Sequence, residues 1–258
     1  MAELRLYVDA PLAIGAPAPG LSREQTHYVL NVMRRRGGDP LLLFNGRDGE
    51  WRATIAAASK REVRLDLVLR TRPQQEEPGP ALWFAPLKRA RQELLLEKAT
   101  ELGVATLRPV LMRRSVVEKV NLARQRAILI EAAEQSGRLT VPSIDPPAGL
   151  DAVLAAASGH PVLFADERAA HLLSPSAPDG EHPVPLLEAL REHPDADLLI
   201  GPEGGFDRGE RAALRAASGV VPVSLGPLIL RAETAAIAAL AAWQALRLGQ
   251  VARARPCR

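Results

Sequence analysis

The chain has 258 residues, of which 47% are hydrophobic and 24% charged, and its single cysteine, Cys257, lies in a polar tail. This is an ordinary globular composition with room for one large or two small domains; it excludes a disulfide within the chain, and no apolar run approaches the ~20 residues of a membrane span. The formal charge of +3 divides unevenly, with 23 Lys and Arg against 16 Asp and Glu over residues 1–138 (net +7) and 10 against 14 over 139–258 (net −4), so that a polyanion partner and an unevenly charged solvated surface are both open.

Ser22 and Gln25 form a capping box ahead of an apolar helical face that ends in Arg34-Arg-Arg-Gly-Gly38. The period then changes. Residues 40–44, 51–55 and 62–69 read as short strands, with Asn45-Gly46 and Asp48-Gly49 marking a hairpin, and together they suggest a small β-barrel. Arg34, Arg35 and Arg36 are its obvious phosphate contacts, because guanidinium forks match phosphate oxygens; a solvated helix end favoured by the dipole accounts for them equally plainly.

Residues 73–80, Pro-Gln-Gln-Glu-Glu-Pro-Gly-Pro, continue neither strand nor helix and are read as a linker between domains 1–72 and 81–258. Beyond it strands near 81–87, 106–112, 161–165, 196–200 and 220–225 alternate with helices near 89–102, 121–136, 184–192, 207–217 and 232–247. Such alternation implies an α/β domain with a mostly parallel sheet covered on both faces. His27, His160, His171, His182 and His193 lack ligand spacing, so no metal site is expected. The start, MAELRLYVDA, carries no signal pattern, and the expected location is the cytoplasm.

Two strand-to-helix turns carry the most chemistry: Leu199-Ile-Gly-Pro-Glu-Gly-Gly-Phe206 and Ser224-Leu-Gly-Pro-Leu-Ile-Leu-Arg-Ala-Glu-Thr234. Gly201, Gly204, Gly205 and Gly226 let the chain turn sharply and let a ligand reach main-chain groups. Glu203 inside the first turn would repel an anion, and neither the Walker ending nor the dinucleotide fingerprint is present. A neutral or cationic ligand is favoured.

Together the two turns resemble those of the SPOUT class of S-adenosylmethionine-dependent RNA methyltransferases, and more closely the RsmE family, which methylates N3 of a uridine in small-subunit (16S) ribosomal RNA. His27 to Asp39 followed by Leu43-Phe-Asn-Gly46, Glu97-Lys-Ala-Thr-Glu-Leu-Gly-Val104, Arg113-Arg-Ser115 and Glu134-Gln-Ser-Gly-Arg138 also fall in family order, so the resemblance covers nearly the whole chain. It implies a PUA-like N-terminal RNA-binding domain, a C-terminal trefoil knot that holds the cofactor, and a homodimer acting on 16S rRNA, within the small ribosomal subunit. By the same resemblance the cofactor is held at Gly201, Glu203, Gly204, Gly205, Leu225, Gly226 and Ile229 to Arg231, with Leu163, Phe164 and Ala165 as a third wall. Leu225, Ile229 and Leu230 would sandwich the adenine.

Methylation of uracil N3 requires removal of the ring proton and stabilisation of charge spreading onto O2 and O4. Arg231 is the first choice for that stabilisation, a plain salt bridge being its other reading. Glu233 is the candidate proton acceptor or substrate orienter, with a dipole-complementing helix carboxylate and solvent as alternatives. Thr234 is placed to cap the last helix or touch the cofactor, and Glu203 to face the cofactor's cationic groups or order its turn. Lys98, Arg113, Arg114 and Arg138 are expected RNA contacts. Two rivals are open: a PUA-like RNA-binding protein without transferase activity, and a SPOUT enzyme acting on transfer RNA or a ribose 2′-hydroxyl.

Overall fold

Alternating burial organises the N-terminal strands. Leu41 and Leu43, Ala53 and Ile55, and Val63 and Leu65 all point into one core with Leu4, Leu6 and Val29. The computed structural model describes residues 3–15, 19–59, 62–117, 119–168 and 183–254; His171, His182, Cys257 and the end of the basic tail lie outside them. Two compact units result, Met1–Glu77 with Ile130–Val141, and Pro78–Leu129 with Pro142–Arg258.

The first unit contains β1 (Leu4–Tyr7), α1 (Arg23–His27) continuing as a π turn over Tyr28–Val32, β2 (Pro40–Phe44), β3 (Glu50–Ala58) and β4 (Val63–Arg72). The capping box is formed reciprocally: Gln25 N–H donates to Ser22 Oγ at 3.1 Å and Ser22 N–H to Gln25 Oε1 at 3.0 Å. Strands pair in the order β1-β2-β3-β4, parallel between β1 and β2 and antiparallel thereafter. Among the described residues this order is open, a four-stranded sheet where the sequence suggested a small barrel. The parallel strand β1 was not anticipated, because its partner lies more than thirty residues away and no local turn announces it.

Residues 130–141 belong with this unit although the sequence reading ran the second domain unbroken from residue 81. They include the end of α3 (Leu122–Ser136). Arg5 Nη1 donates to Ala133 O at 2.6 Å, Arg5 Nη2 also donates to Arg138 O, and Tyr7 N–H donates to Glu134 Oε1 at 2.8 Å. Glu77, inside the expected linker, accepts from the Leu139 and Thr140 amides at 3.1 and 3.0 Å and from the Thr140 hydroxyl at 2.6 Å. Burial alone would raise the Glu77 carboxyl, but these hydrogen bonds outweigh it and hold it below its ordinary value. The expected linker is therefore pinned at Glu77 to the first unit.

Glu134 is shifted the other way. Burial raises its carboxyl above the ordinary value, against the pull of the Tyr7 amide and Arg5. A raised folded-state pKa contributes stability that is full below the unfolded value and lost as pH rises through the folded one. Glu134→Gln keeps an acceptor for the Tyr7 amide and removes the charge. Its unfolding free energy is expected to exceed that of the parent near pH 7 by at most about 1 kcal/mol after solvent screening, read as a higher thermal midpoint, and the gain to fade as pH falls to about 4. A difference that does not change with pH would remove the buried charge as its cause.

The second unit is a parallel sheet with flanking helices. Its strands are β5 (Ala81–Phe84), β6 (Thr106–Leu111), β7 (Ser143–Ile144), β8 (Ala148–Gly149), β9 (Val162–Ala165), β10 (Val184–Pro185), β11 (Asp197–Ile200) and β12 (Val220–Ser224). They run in the order β10-β12-β9-β11-β5-β6-β7, with β8 also on β6, and every pairing is parallel. The described helices besides α3 are α2 (Arg89–Glu101), α4 (Leu150–Ala157), α5 (Leu186–Glu192), α6 (Arg208–Ala216) and α7 (Ala232–Ala254). Helix α4 and the two-residue strands were not foreseen. The rest lie within a few residues of their expected positions, except that α7 extends past 247.

Asp197 anchors the centre of the sheet. Only 6% exposed, it accepts from Ala81 N–H at 2.9 Å and Trp83 Nε1 at 3.1 Å. Helix α7 packs on α2 and α5 and buries Ala235, Ala236 and Ala239, whose small side chains permit the close approach expected of this segment. Among the described residues no helix is long and apolar enough to cross a membrane.

Candidate active site

Strands β9, β11 and β12 are neighbours in register, with Ala165 beside Ile200 and beside Val223. Their carboxyl ends therefore come out together. In open parallel sheets this end is where ligands bind, because the loops diverge there and leave a crevice. Here the three loops, Asp166–Glu167, Gly201–Gly205 and Leu225–Arg231, surround a cavity of about 900 Å³ including the solvent at its open mouth.

Of the residues expected at a cofactor site, Ala165, Gly201, Glu203, Gly205, Leu225, Gly226, Ile229, Leu230 and Arg231 line this cavity. Leu163 and Phe164 do not. They are fully buried in β9, and Phe164 stacks edge-on against Phe206 with centroids 5.6 Å apart. Gly204 also lies outside the lining and faces Arg114, whose Nη1 donates to the Gly204 carbonyl at 2.9 Å. Thr234 is exposed on α7 and outside it too.

Two glycines are demanded for different reasons. A Cβ on Gly201 would stand 2.7 Å from the Phe206 ring, so this position is closed by a side chain rather than held open for a ligand. Gly226 has a φ of +121° with open space where a Cβ would lie. It is the glycine that fits the expected approach of a ligand to the main chain.

Arg231 is exposed at the cavity wall and makes no ion pair among the described residues. Glu233 is 7% exposed and sits behind the lining. Its Oε1 is 3.6 Å from Arg91 Nε, while Arg91 Nη1 donates to Glu203 Oε1 at 3.2 Å. Glu233 Oε2 is buried without a hydrogen-bond partner. Arg91 thus clamps a carboxylate from each of the two turns.

Arg91 was missed because its partners lie more than a hundred residues away, and only its place in the first turn of α2 could have drawn attention. Asp166 and Glu167 were missed as well, although a residue just past a parallel strand is a standing candidate. Asp166 accepts from Arg211 Nε at 3.0 Å and from Arg215 Nη2 at 2.8 Å, and Arg211 also pairs with Glu167. Two arginines of α6 thereby fix the loop after β9. Among the described residues no group of three or more His, Cys, Asp or Glu is placed to hold a metal ion.

The expected RNA contacts separate by exposure. Arg34 and Arg36 are exposed, and Arg34 adopts a left-handed φ of 53° where the helix ends. Arg35 is half-buried, and its Nε has no hydrogen-bond partner. Arg113 is exposed with Asp207 3.5 Å away, whereas Lys98 is engaged by Glu97 and Glu101 at 2.7 and 2.8 Å. Arg138 is corrected outright. It is 8% exposed, 3.6 Å from Glu77 and donates to Thr140 Oγ1, so its charge is spent inside the first unit.

A sequence profile described as an RNA methyltransferase domain matches residues 75–244, and one described as an RNA methyltransferase PUA domain matches residues 21–68. The chain is 32% identical to the ribosomal RNA small subunit methyltransferase E of Rickettsia conorii, over 92% of this chain and 93% of that one. It is 33% identical to the protein of the same name from a Synechocystis species, over 93% of this chain and 77% of that one. The crystal structure of ribosomal RNA small subunit methyltransferase E from Neisseria gonorrhoeae bound to S-adenosyl methionine aligns with a TM-score of 0.77 at 29% identity, covering 95% of this chain and 98% of that one. With the profile match spanning most of the chain and relatives above 30% identity along nearly its full length, the chain belongs to the ribosomal RNA small subunit methyltransferase E family of RNA methyltransferases.

Proposed function

We propose that the chain methylates N3 of a specific uridine in 16S ribosomal RNA, using S-adenosylmethionine. The observation that carries this reading is the cavity at the carboxyl ends of β9, β11 and β12, assembled from both glycine turns. Its residues fit that cofactor. Gly226 leaves the main chain approachable, Leu225, Ile229 and Leu230 offer apolar faces to an adenine, and the Glu203 carboxylate suits a cation. When bound, S-adenosylmethionine supplies an electrophilic methyl group on a sulfonium.

The chain's own residues supply the rest. Arg231 holds the uracil ring and neutralises charge developing on O2 and O4. Glu233 positions Arg91 and through it Glu203, and water at the open mouth accepts the N3 proton. Arg34, Arg36 and Arg113 meet phosphates.

The finer architecture follows the same reading. The first unit is a PUA-like RNA-binding domain, and the loop from Leu225 to Arg231 with α7 forms a trefoil knot around the cofactor. Insertion of β12 between β9 and β10 supports the knot. A homodimer is supported by Leu228 and Ile229, 74% and 64% exposed at the cavity wall, since solvent-facing apolar residues beside a site favour a covering partner. A reaction on the small ribosomal subunit places the protein in the cytoplasm.

Small ribosomal subunits lacking the modification, incubated with the protein and labelled S-adenosylmethionine, test the reading. N3-methyluridine at one position is the expected product in nucleoside digests. A different methylated nucleoside would overturn the target, and cofactor binding without transfer to any RNA would overturn the activity.

A further inference from the structure

The first glycine turn is held at two successive residues by arginines from other elements. Glu203 accepts from Arg91 of α2 at 3.2 Å, and the Gly204 carbonyl accepts from Arg114 Nη1 at 2.9 Å. Glu203 and Gly205, on either side of Gly204, both line the cavity, while Gly204 itself does not. A Cβ on Gly204 would lie 3.3 Å from the Arg114 Cβ and 3.6 Å from its Cδ, so the arginine stem lies flat against the glycine. Gly205 N–H donates to Pro202 O at 2.8 Å and closes the turn on itself. The Gly204 carbonyl is thus a handle on the turn, and Arg114 grips it.

Arg114 projects from a rigid base. After β6, Met112 N–H donates to Ser115 Oγ and Ser115 N–H to Met112 O, each at 2.9 Å. Arg113 N–H donates to Glu210 Oε1 at 2.7 Å, and Glu210, only 9% exposed, also accepts the Asp207 N–H at 3.0 Å. These bonds bracket Arg114 and fix its main chain, leaving the side chain as the part that can move. Asp207 stands 3.5 Å from Arg113, whereas no carboxylate among the described residues pairs with Arg114. Arg114 is exposed, and its guanidinium, a fork of five N–H donors, meets Gly204 through Nη1. The rest of the fork and its unpaired charge suit the oxygens of a phosphate, the form in which RNA presents its charge.

We propose that Arg114 is a positioning residue that couples RNA to cofactor: Nη1 keeps the Gly204 carbonyl, and with it the shape of the cofactor turn, while the remaining edge of the same guanidinium takes a phosphate of the substrate RNA. Fixing a long exposed side chain in one rotamer costs entropy. The cofactor orders the turn and hence the carbonyl that Arg114 grips, and the phosphate orders the guanidinium from outside, so whichever binds second meets an arginine already in place. The coupling is positive and reciprocal, each ligand tightening the other by the same factor. The inference rests on the reading of the protein as a small-subunit rRNA methyltransferase.

Two substitutions in the full-length protein test it. Arg114→Met keeps an apolar stem against Gly204 and removes the guanidinium; Arg114→Lys keeps the charge without a rigid fork that meets two partners at once. Affinity for S-adenosylmethionine is measured by calorimetry without RNA. Affinity for unmodified small ribosomal subunits is measured by filter binding with and without saturating sinefungin, a cofactor analogue that transfers no methyl group. In the parent, sinefungin is expected to tighten subunit binding about fivefold. Arg114→Met should bind S-adenosylmethionine about fivefold more weakly, lose the effect of sinefungin on subunit binding and keep its thermal midpoint. Arg114→Lys should regain subunit affinity without regaining the coupling. Arg113→Ala, whose main-chain bond to Glu210 survives, should weaken subunit binding yet retain cofactor affinity and coupling. Three results overturn the proposal: unchanged cofactor affinity in Arg114→Met, undiminished coupling in that variant, or a parent whose subunit affinity is unmoved or lowered by sinefungin, as it would be if a phosphate drew Arg114 away from Gly204. A parent protein that binds neither S-adenosylmethionine nor the subunits fails at the functional reading instead, and that is seen before any variant is made.

Discussion

Arg231→Ala is expected to lower turnover by about 10²- to 10³-fold, the usual cost of deleting one preorganised group that stabilises transition-state charge, while leaving affinity for S-adenosylmethionine within about threefold. Two observations set this expectation. Arg231 lies on the cavity wall immediately before α7, and no carboxylate among the described residues pairs with it, so its charge is available to a substrate. A cation that already spent its charge on the protein would change stability when removed more than rate. Deprotonated uracil spreads charge over O2 and O4, and the guanidinium can direct its planar fork at one of these oxygens while leaving N3 open. Arg231→Lys keeps the charge without the fork and should recover only part of the loss. Single-turnover rates and calorimetric cofactor binding separate the two effects. An equal fall in both would make Arg231 a cofactor-binding residue.

The sequence signals that proved reliable were local. Ser22 and Gln25 cap one another three residues apart, and Gly137, at a φ of +78°, follows the end of α3 at Ser136, as the helix expected near 121–136 requires. The strand-helix alternation after residue 80 needed only the period of apolar residues, and it yielded the parallel sheet and hence the cavity. What escaped was nonlocal. Strand β1 has no partner near it in sequence, residues 130–141 join the first unit through Arg5 and Tyr7, and Arg91 meets its two carboxylates only after the sheet is built. Arg138 illustrates the limit from the other side. A basic residue after a helix end reads as a surface contact, and nothing in its neighbours reveals that Glu77 and Thr140 enclose it. Gly201 makes the same point for a small residue: the turn announces that a side chain is unwelcome, but not that the Phe206 ring is what excludes it.

Arg91→Ala is expected to reduce kcat/KM by tenfold or more, roughly the effect of losing ~1.4 kcal/mol of transition-state binding, although this arginine belongs to no turn that marks the site. Its guanidinium holds Glu203 from one loop and Glu233 from the other, at 3.2 and 3.6 Å. Without it the Glu203 and Glu233 carboxylates lose the cation that both of them meet, and like charges separate or recruit water. The loops that shape the cofactor site would then lose their common anchor. Glu233→Gln should act through the same contact, so the double variant is expected to be little worse than either single one, with a coupling energy of roughly 1–2 kcal/mol. Effects additive within about 0.5 kcal/mol would instead mean that Glu233 reaches the substrate independently of Arg91, and its buried, unpartnered Oε2 would be the atom to hold responsible. Arg91→Lys distinguishes charge from geometry. An ammonium restores a cation between the carboxylates but cannot span both with one rigid fork, so cofactor affinity should return before turnover does.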